Sequence, residues 1–536
     1  MERVVFVSNE ILLGEIPAYA GGLGILSGGI VSSARDTAYP LLGITLVHDQ
    51  GYVRHEIENR EVKFLPDPYE PREFFTKIDR KFFIELKDFR IWFRVWEHKL
   101  SEEVSVFFID SNVKENPEYL RRLTSRVYIE DTEEEKLLKR LLLGLGALKI
   151  VEELKIPCKK FHLNESHCGF LAMELLKKER EISRVRKKIV FTTHTPLPHG
   201  HEKFSYSLVE RYYEIPEKVK VISPGVLDVS RVLFVLAGYK NAVSWKHWLL
   251  LKRYYPNIDF DYITNGVHTK WIEDEMRKLY DRFIPGWFAH PHRFAHAGVI
   301  DLEELGKAKE NVKRKLIYLV NTQGYYNKSF DESGITLVAR RRITGYKRND
   351  IFFRDVERIE SISRKYNLQI LVSGVCHPKD VEGRKILQNL VELMSVLSHT
   401  KLALLLRNGK KYERACVAGG DLFVHASLPP FEACGTSWMR AALNAVPTLA
   451  SKDGGVVEAV VHNYNGFLFG KNRFEAGGEE WEDVADFYEV LENVLSMFRN
   501  EREEYLRVCR NALKTIGALF NTNRVLREYI KRAYEK

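Results

Sequence analysis

The sequence has few cysteines, little glutamine and no apolar run long enough to cross a bilayer. The longest apolar stretches, residues 141–151 and 232–238, fall well short of the roughly 20 residues that a membrane-spanning helix needs. The first ten residues place charges on both sides of a short apolar run, which indicates a buried first strand and not a signal peptide. We therefore expect no membrane span and a cytoplasmic location.

The six cysteines lie far apart and form no C-x-x-C pair. This distribution favours neither a zinc knuckle nor a disulfide framework, so we expect reduced thiols. Four of the 536 residues are glutamine, whereas lysine, arginine and glutamate are plentiful. That balance is typical of proteins from organisms that grow at high temperature.

The excess of positive charge is also small. Lys+Arg 82 against Asp+Glu 73 gives a formal net charge of +9, which is far from that of a nucleic-acid-packaging protein and fits an anionic small substrate. The length favours two or more domains. With 45% hydrophobic residues and no long polar low-complexity tract, the chain is expected to be globular.

Short apolar runs alternate with helical patterns, which predicts an α/β fold of parallel sheets covered by helices on both faces. The predicted strands are residues 4–8, 44–48, 188–195, 336–341, 369–374, 402–407, 421–426 and 447–451. Residues 321–334 are polar and rich in Gly, Asn and Ser, and they mark the boundary between two doubly wound halves that face a cleft. We expect an N-terminal domain over residues 1–325, a C-terminal domain over 335–500, and a helical tail over 501–536 that packs back on the first domain.

A glycine-rich loop, residues 19–24, follows the first predicted strand and precedes a helix. Glycines let the backbone approach an anion closely, and a helix N-terminus supplies free N–H groups. The loop lacks the full G-x-G-x-x-G spacing of a dinucleotide site, and a tight turn without a ligand is the simpler alternative.

A histidine, His194, stands at the end of the strand predicted over residues 188–195, with His199 and His201 close behind. Because ligands of open parallel sheets lie beyond the carboxyl ends of the strands, His194 is a candidate site residue. The spacing of the three histidines does not match a helical zinc motif, so we expect no metal.

A run of cations, residues 340–348, follows the first strand of the second half. A solvated charged face is the usual explanation of such a run. Here it stands at a strand end, where we expect Arg342 and Lys347 to bind one phosphate. The guanidinium of Arg342 would donate two hydrogen bonds, and the ammonium group of Lys347 would supply a compact positive charge. A single short cluster without aromatic platforms argues against nucleic acid as a partner.

The segment 429–444 follows the strand predicted over residues 421–426. It combines a carboxylate, Glu432, with Gly-Thr-Ser at a helix start. The carboxylate is an acceptor for sugar hydroxyls, and the helix start offers N–H donors to an anion. Transfer of a sugar from a phosphate leaving group requires such a combination.

Taken together, these motifs resemble those of the α-glucan phosphorylases, particularly the short archaeal and bacterial type, and more distantly those of the glycogen and starch synthases. Both groups have the GT-B fold of two Rossmann-like domains. The resemblance runs over nearly the whole chain, through the blocks IPAYAGGLGILSGG, GYVRHEI, DSNVKENPEYLRRLTSRVY, HLNESHCGFLAMELL, VFTTHTPLPHGHEKF, ITNGVHTKW, RRITGYKR and FEACGTSWMRAALN.

The resemblance implies roles for individual residues of this sequence. His194, Arg342, Lys347 and Glu432 take the catalytic positions: the histidine beside the transferred sugar, the Arg-x4-Lys pair on the leaving phosphate, and the glutamate on the sugar hydroxyls. The positions implied for binding the donor phosphate or the sugar are Gly21, Gly22, Gly24, Asn265, Gly435, Thr436, Ser437 and Arg440.

Arg440 departs from the phosphorylase pattern, in which a lysine forms a Schiff base with pyridoxal phosphate. Arginine stays protonated and cannot act as the amine nucleophile, so we expect no covalent pyridoxal phosphate and no other cofactor. A guanidinium beside Arg342 and Lys347 suits a diphosphate instead.

We therefore expect a retaining α-glucosyltransferase that elongates an α-1,4-glucan or maltodextrin from a nucleotide-diphosphate glucose, as a glycogen synthase does. One alternative is an α-glucan phosphorylase that releases glucose 1-phosphate and holds pyridoxal phosphate without the covalent bond or through another lysine, such as Lys452. A non-catalytic glucan-binding relative is the other alternative. Oligomerisation of identical chains is left open.

Overall fold

The structure of the protein is a computed structural model, which describes residues 2–477 and 480–535. The described residues divide into two compact units. The first unit holds residues 2–52, 67–264 and 525–535, and the second holds the remainder, 53–66 and 265–524. The domain limits at residues 325, 335 and 500 stay a prediction.

The strands are β1 (Arg3–Ser8), β2 (Leu41–Leu46), β3 (Arg54–Glu58), β4 (Glu61–Leu65), β5 (Thr76–Glu85), β6 (Arg90–Lys99), β7 (Val104–Asp110), β8 (Cys158–Asn164), β9 (Ile189–Thr192), β10 (Lys203–Phe204), β11 (Leu227–Asp228), β12 (Tyr239–Ala242), β13 (Asp261–Tyr262), β14 (Tyr325–Tyr326), β15 (Ile335–Arg340), β16 (Leu368–Ser373), β17 (Lys401–Leu405), β18 (Leu422–His425), β19 (Thr448–Ser451) and β20 (Phe467–Phe469).

The helices are α1 (Gly22–Asp36), α2 (Glu118–Arg121), α3 (Glu133–Glu153), α4 (Phe170–Glu179), α5 (Ile182–Arg186), α6 (Tyr206–Val209), α7 (Glu217–Ile222), α8 (Val229–Leu236), α9 (Trp245–Tyr254), α10 (Asp274–Phe283), α11 (Leu302–Gln323), α12 (Val356–Tyr366), α13 (Val381–Leu393), α14 (Lys410–Gly419), α15 (Ser437–Leu443), α16 (Val456–Ala459), α17 (Glu480–Asn500), α18 (Arg502–Ala512) and α19 (Thr522–Tyr529).

The first unit is built on a nine-stranded sheet in the order β13-β12-β9-β8-β1-β2-β7-β6-β5. In this order, neighbouring strands from β13 through β7 pair in parallel. β6 then pairs antiparallel with β7, and β5 pairs antiparallel with β6. Successive residues of β1 enter different cores: Val5 and Val7 join one cluster, and Val4 and Phe6 join the other. A strand buried on both faces reads as a continuous apolar run, which is why β1 was visible in the sequence.

The last described residues of the chain belong to the first unit. The Tyr534 hydroxyl lies 2.6 Å from Nδ1 of the buried His162, and the Tyr529 hydroxyl lies 3.0 Å from Oγ1 of Thr192. Residues 501–524 lie in the second unit. The C-terminal tail therefore contributes to both units, and its last segment fixes the interior of the first sheet.

The second unit is built on a seven-stranded sheet in the order β14-β17-β16-β15-β18-β19-β20. β14 pairs antiparallel with β17, and the other neighbours are parallel. Helices of this unit begin and end on recognisable signals. The Asp355 side chain accepts the Arg358 N–H at the start of α12, and Asn367 ends that helix in a left-handed conformation at φ 54°.

Both sheets have a topological switch point, where the strands that follow one parallel strand in sequence lie on both sides of it. In the first unit β1 lies between β2 and β8, and in the second unit β15 lies between β16 and β18. Ligands of open α/β sheets bind beyond the carboxyl ends of the strands at such points. The prediction of two doubly wound α/β halves is confirmed. Within the described residues, no helix is both long and apolar enough to cross a membrane.

Candidate functional site

In the first unit, the glycine loop passes from β1 to α1. The helix begins at Gly22, and the Ala20 N–H donates to the buried carboxylate of Glu10 at 2.5 Å. A Cβ at Gly24 would lie 2.7 Å from the Tyr19 side chain and 2.9 Å from Glu10 Oε2, so a larger residue does not fit. A Cβ at Gly21 would meet no atom within 4 Å. The role of Gly21, Gly22 and Gly24 toward a donor phosphate stays a prediction.

His194 stands two residues beyond the end of β9. Its Nε2 lies 2.8 Å from Oδ1 of Asn164, whose amide group in turn donates to Ser8 and Ser27. Since the amide oxygen can only accept, Nε2 carries the proton and Nδ1 is an acceptor. Burial, assisted by the nearby His167, lowers the pKa of His194 to about 3, so the ring is neutral at physiological pH.

Glu165 organises the His194 loop, and our sequence analysis did not single it out. It has a positive φ of 80°, and its buried carboxylate accepts the Ser166 N–H at 2.8 Å, the His194 N–H at 2.6 Å and the Thr195 hydroxyl at 3.1 Å. Burial raises the pKa of this carboxyl group. The polar residues directly after strand β8 were the signal that could have revealed it.

In the second unit, the cation run begins inside the sheet and ends beyond it. Arg340 closes β15, and Arg341 donates to the Ser427 hydroxyl at 2.8 Å and to the carboxylate of Glu432. Lys347 Nζ lies 3.8 Å from the same Glu432 oxygen. The structure therefore brings the predicted Lys347 and Glu432 together, with Arg341 as a partner that the sequence analysis missed. We call Arg341, Arg342, Lys347 and Glu432 the strand-end cluster.

The charges of the strand-end cluster are strongly coupled. Burial and, to a smaller extent, the neighbouring cations Arg341 and Arg342 together lower the pKa of Lys347 to about 7, against the opposing effect of Glu432. Burial alone would raise the pKa of Glu432, but Lys347 and Arg341 hold it far below its usual range. Arg342 is half-buried, and its hydrogen bond to the Tyr346 hydroxyl partly offsets the rise that burial causes in the tyrosine pKa.

The predicted helix start is shaped by a buried histidine. Gly435 has a φ of 75°, and a Cβ there would come within 2.7 Å of the His425 ring. Nδ1 of that ring lies 3.1 Å from the Ser437 hydroxyl at the first residue of α15. Glycine is therefore required at position 435 for packing, and anion binding by Gly435, Thr436 and Ser437 stays a prediction.

Arg440 lies on α15 and is paired inside the second unit. Its guanidinium forms an ion pair with Glu413 and lies 5.0 Å from the ring centre of Trp271. The other oxygen of Glu413 accepts Arg340 at 2.9 Å. Burial opposes ionisation of Glu413, but the two arginines lower its pKa to about 2. The carboxylate of Glu413 thus offsets part of the positive charge that we expected Arg440 to present to a diphosphate. Binding of a diphosphate by Arg440 stays a prediction.

Asn265 is buried, with 4% of its surface exposed. Its carbonyl oxygen accepts Arg524 at 3.1 Å, whereas its side-chain oxygen has no hydrogen-bond partner among the described residues. A buried acceptor without a partner costs free energy unless a ligand satisfies it. The unsatisfied side-chain oxygen of Asn265 agrees with a position beside a sugar. That position stays a prediction.

The residues present do not fit covalent attachment of pyridoxal phosphate at the expected position. The side chain there is a guanidinium held by Glu413, and it offers no amine. Lys309 of α11 is also buried, and its Nζ donates to the carbonyl oxygen of Ala445 at 3.0 Å. Across residues 2–477 and 480–535, no group of three or more His, Cys, Asp or Glu side chains is arranged to hold a metal ion.

Comparison with known proteins agrees with the resemblance. The family model described as glycosyl transferases group 1 matches residues 327–487, which include the strand-end cluster. A glycogen phosphorylase of Aquifex aeolicus is 30% identical over 99% of this chain and 86% of its own length. A maltodextrin phosphorylase of Thermococcus litoralis is 29% identical over 100% of this chain and 71% of its own length. An uncharacterised protein of Methanocaldococcus jannaschii is 26% identical over 97% of each chain. The chain belongs to the glycogen phosphorylase family.

Proposed function

We propose that the protein is an α-glucan phosphorylase, which exchanges a glucosyl unit between the end of an α-1,4-glucan and inorganic phosphate. The strand-end cluster carries this proposal. It provides Lys347 and Arg341 beside Glu432 at a topological switch point, where a compact anion and a sugar are expected to bind together. The names of the two phosphorylase relatives support an α-glucan as the substrate.

The proposed reaction keeps the configuration at the transferred carbon. In the direction of breakdown, the bond between glucosyl C1 and the glucan O4 breaks, and C1 forms a bond to a phosphate oxygen on the same face. The phosphate proton moves to O4. Because phosphate itself carries this proton, the reaction needs no pair of carboxyl groups of the glycosidase type.

The residues of the cluster have separate tasks in this proposal. Arg342 and Lys347 stabilise the charge of the phosphate as the bond to C1 breaks or forms, which is where preorganised cations contribute most to a rate. Glu432 is ionised and accepts sugar hydroxyls. In the first unit, outside the cluster, the neutral His194 has an acceptor at Nδ1 that suits a sugar hydroxyl. No step passes through pyridoxal phosphate, because the guanidinium at the expected attachment point does not fit covalent attachment of that group.

Transfer from a nucleotide-diphosphate glucose is the second candidate. The guanidinium of Arg440 favours it, because a donor that brings its own second phosphate needs no phosphate-bearing cofactor. The match to the group 1 glycosyl transferases is compatible with both candidates.

A donor-choice assay separates the two candidates. Purified protein is incubated with a short maltodextrin and glucose 1-phosphate, UDP-glucose or ADP-glucose in separate tubes, each with and without added pyridoxal phosphate, and chain length is measured. We expect elongation from glucose 1-phosphate, at a rate that pyridoxal phosphate does not change. Elongation from a nucleotide sugar alone would replace the proposal with the second candidate.

A further inference from the structure

A β-hairpin formed by β3 and β4 belongs to the second unit, although the chain on both sides of it belongs to the first. Its strands pair antiparallel, with Arg54 opposite Leu65 and Glu58 opposite Glu61. This hairpin was not predicted from the sequence, and it has no task in the proposed reaction. Its position in the second unit is defined by contacts with the carboxyl ends of two strands of the sheet.

His55 makes the contacts with the strand ends. Its backbone N–H donates to the carbonyl oxygen of Leu406, directly after β17, at 3.2 Å. The Cys376 N–H, three residues after β16, donates to Nε2 of the His55 ring at 2.8 Å. Burial lowers the pKa of His55 to about 4, so the ring is neutral and Nε2 remains an acceptor. The hairpin therefore satisfies backbone groups that strand ends otherwise leave to a ligand or to water.

The second strand of the hairpin is held against α13. Phe64 packs edge-on against the His55 ring, with the two ring centres 4.5 Å apart. The guanidinium of Arg384, on α13, lies 5.5 Å from the centre of the Phe64 ring. At the turn, Gln388 donates to the carbonyl oxygen of Arg60 at 3.1 Å. Both ends of the hairpin are thus fixed to the same helix, and the strand-end residues beneath it, Val375, Cys376 and Leu406, are buried.

The covered strand ends adjoin the strand-end cluster. Ile343, the neighbour of Arg342, forms a β-bridge with Cys376, and its N–H donates to the carbonyl oxygen of Val375 at 2.9 Å. On the opposite side of the switch point, the Glu432 N–H donates to the buried Asp453, which follows β19, at 2.9 Å. The chain itself therefore occupies the strand ends on both sides of the cluster.

A nucleoside attached to a phosphate at the switch point has to extend along these neighbouring strand ends, as dinucleotides do in open α/β sheets. We propose that the hairpin of residues 54–65 is a specificity-determining element, which closes the crevice beside the strand-end cluster and restricts the leaving group to a phosphate without a nucleoside. This inference rests on the proposed function, and it explains how a group 1 glycosyl transferase domain can discriminate against nucleotide donors.

The test compares two anions that differ by the nucleoside. Binding of inorganic pyrophosphate and of ADP or UDP is measured by isothermal titration calorimetry with the full-length protein. We expect each nucleotide to bind at least tenfold more weakly than pyrophosphate. Replacement of residues 54–65 by a short Gly-Ser turn, which removes His55 and Phe64 with the rest of the hairpin, should remove most of this difference while leaving pyrophosphate binding within twofold.

A milder variant keeps the test decisive where the shortened hairpin does not fold. The double substitution His55→Ala and Phe64→Ala removes the contacts with Cys376 and Arg384, and circular dichroism checks that the protein is folded. Glu61→Ala, an exposed residue at the hairpin turn, is the matched control and should leave both affinities unchanged. We expect the double variant to gain nucleotide affinity.

Nucleotide binding as tight as pyrophosphate binding in the unaltered protein would overturn the inference. Folded hairpin variants that gain no nucleotide affinity would also overturn it. Loss of nucleotide binding in the variants would show instead that the hairpin forms a nucleoside site. The donor assay fails independently of this one: a protein that rejects ADP and UDP yet does not use glucose 1-phosphate would retain the inference and refute the proposed function.

Discussion

The two switch points occupy equivalent places in their sheets, but the buried carboxyl groups Glu165 and Glu432 beside them have opposite pKa shifts. Beyond the strand ends of the first unit, burial keeps imidazoles neutral: it lowers the pKa values of His48 and His194 to about 3 and that of His167 well below its usual range. It also raises the pKa of Glu165. Beyond the strand ends of the second unit, arginines and lysines keep Glu432 and Glu413 ionised despite burial.

The difference shows which energy term dominates in each place. Where a titratable group has no close partner of opposite charge, desolvation favours its neutral form, and where such partners are present, Coulomb attraction outweighs desolvation. Neutral hydrogen-bond acceptors and donors suit sugar hydroxyls. Ion pairs suit a phosphate, because their cations can also interact with an anion that binds beside them. The contrast leads to five predictions, which begin with the largest expected effect.

Removing Glu413 should break the charge balance of the second unit. Glu413→Ala leaves Arg340 and Arg440 as buried cations without their shared carboxylate, and breaking a buried ion pair in this way costs about 3–5 kcal/mol. Urea unfolding followed by circular dichroism measures the loss. Glu332→Ala, which breaks an exposed pair with Arg314, is the control and should cost less than about 1 kcal/mol. Equal effects of the two variants would contradict the buried-charge interpretation.

Removing a cation of the strand-end cluster should impair turnover without unfolding the protein. Arg342→Ala and Lys347→Ala are each expected to lower kcat about 10²-fold or more, because each removes a group that stabilises charge on the phosphate. Glucan elongation from glucose 1-phosphate measures the effect, and Lys365→Ala, an exposed cation of α12, is the control. Near-normal turnover in either cluster variant would remove that residue from the proposed mechanism.

The lowered pKa of Lys347 predicts a pH dependence of anion binding in the second unit. Below about pH 7 the amine is protonated and attracts an anion, and above it the free protein holds the amine neutral although an ordinary lysine would stay charged. Affinity should therefore fall as pH rises from 7 to 9, by up to about tenfold per pH unit. Sulfate is the suitable probe, because its charge does not change over this range.

The Lys347→Ala variant supplies the control for that titration. It lacks the titrating amine, so its weaker sulfate affinity should be nearly independent of pH. A slope that persists in this variant would assign the titration to another group. A flat profile in the unaltered protein would mean that Lys347 keeps an ordinary pKa.

Much of the fold was predictable from the sequence because its central strands are buried on both faces. Such strands read as continuous apolar runs, and the observed β15 and β16 differ from the predicted strands by one residue at each end. The antiparallel strands β5 and β6 were missed, because they mix charged and aromatic residues and have one partly exposed face. The hairpin of β3 and β4 was missed for the same reason.

The site was predictable in part. Position after a strand identified Lys347 and Glu432, which the structure brings together, and His194, which it places beside Asn164 and Glu165. The partners Arg341 and Glu413 could not be chosen from the sequence, since adjacent arginines of a cation run look alike and a helical glutamate is usually exposed. Only the packing of α14 shows that Glu413 is buried between two arginines.

The smallest predicted effect concerns the first unit and the orientation of His194. Asn164→Ala removes the acceptor that fixes the ring, and loss of one hydrogen bond between neutral groups costs about 1 kcal/mol, or roughly a fivefold loss of kcat/KM for the glucan. The KM for phosphate should not change, because Asn164 acts through His194 and carries no charge.

Asn164→Asp tests whether this region has to be neutral. The carboxylate restores an acceptor for Nε2, but its charge favours the imidazolium and should raise the pKa of His194 from about 3 toward its ordinary value. We therefore expect activity close to normal at pH 8 and a decline below about pH 6 that the unaltered protein lacks. A variant with the same pH profile as the unaltered protein would show that the neutral state of His194 does not depend on its uncharged neighbour.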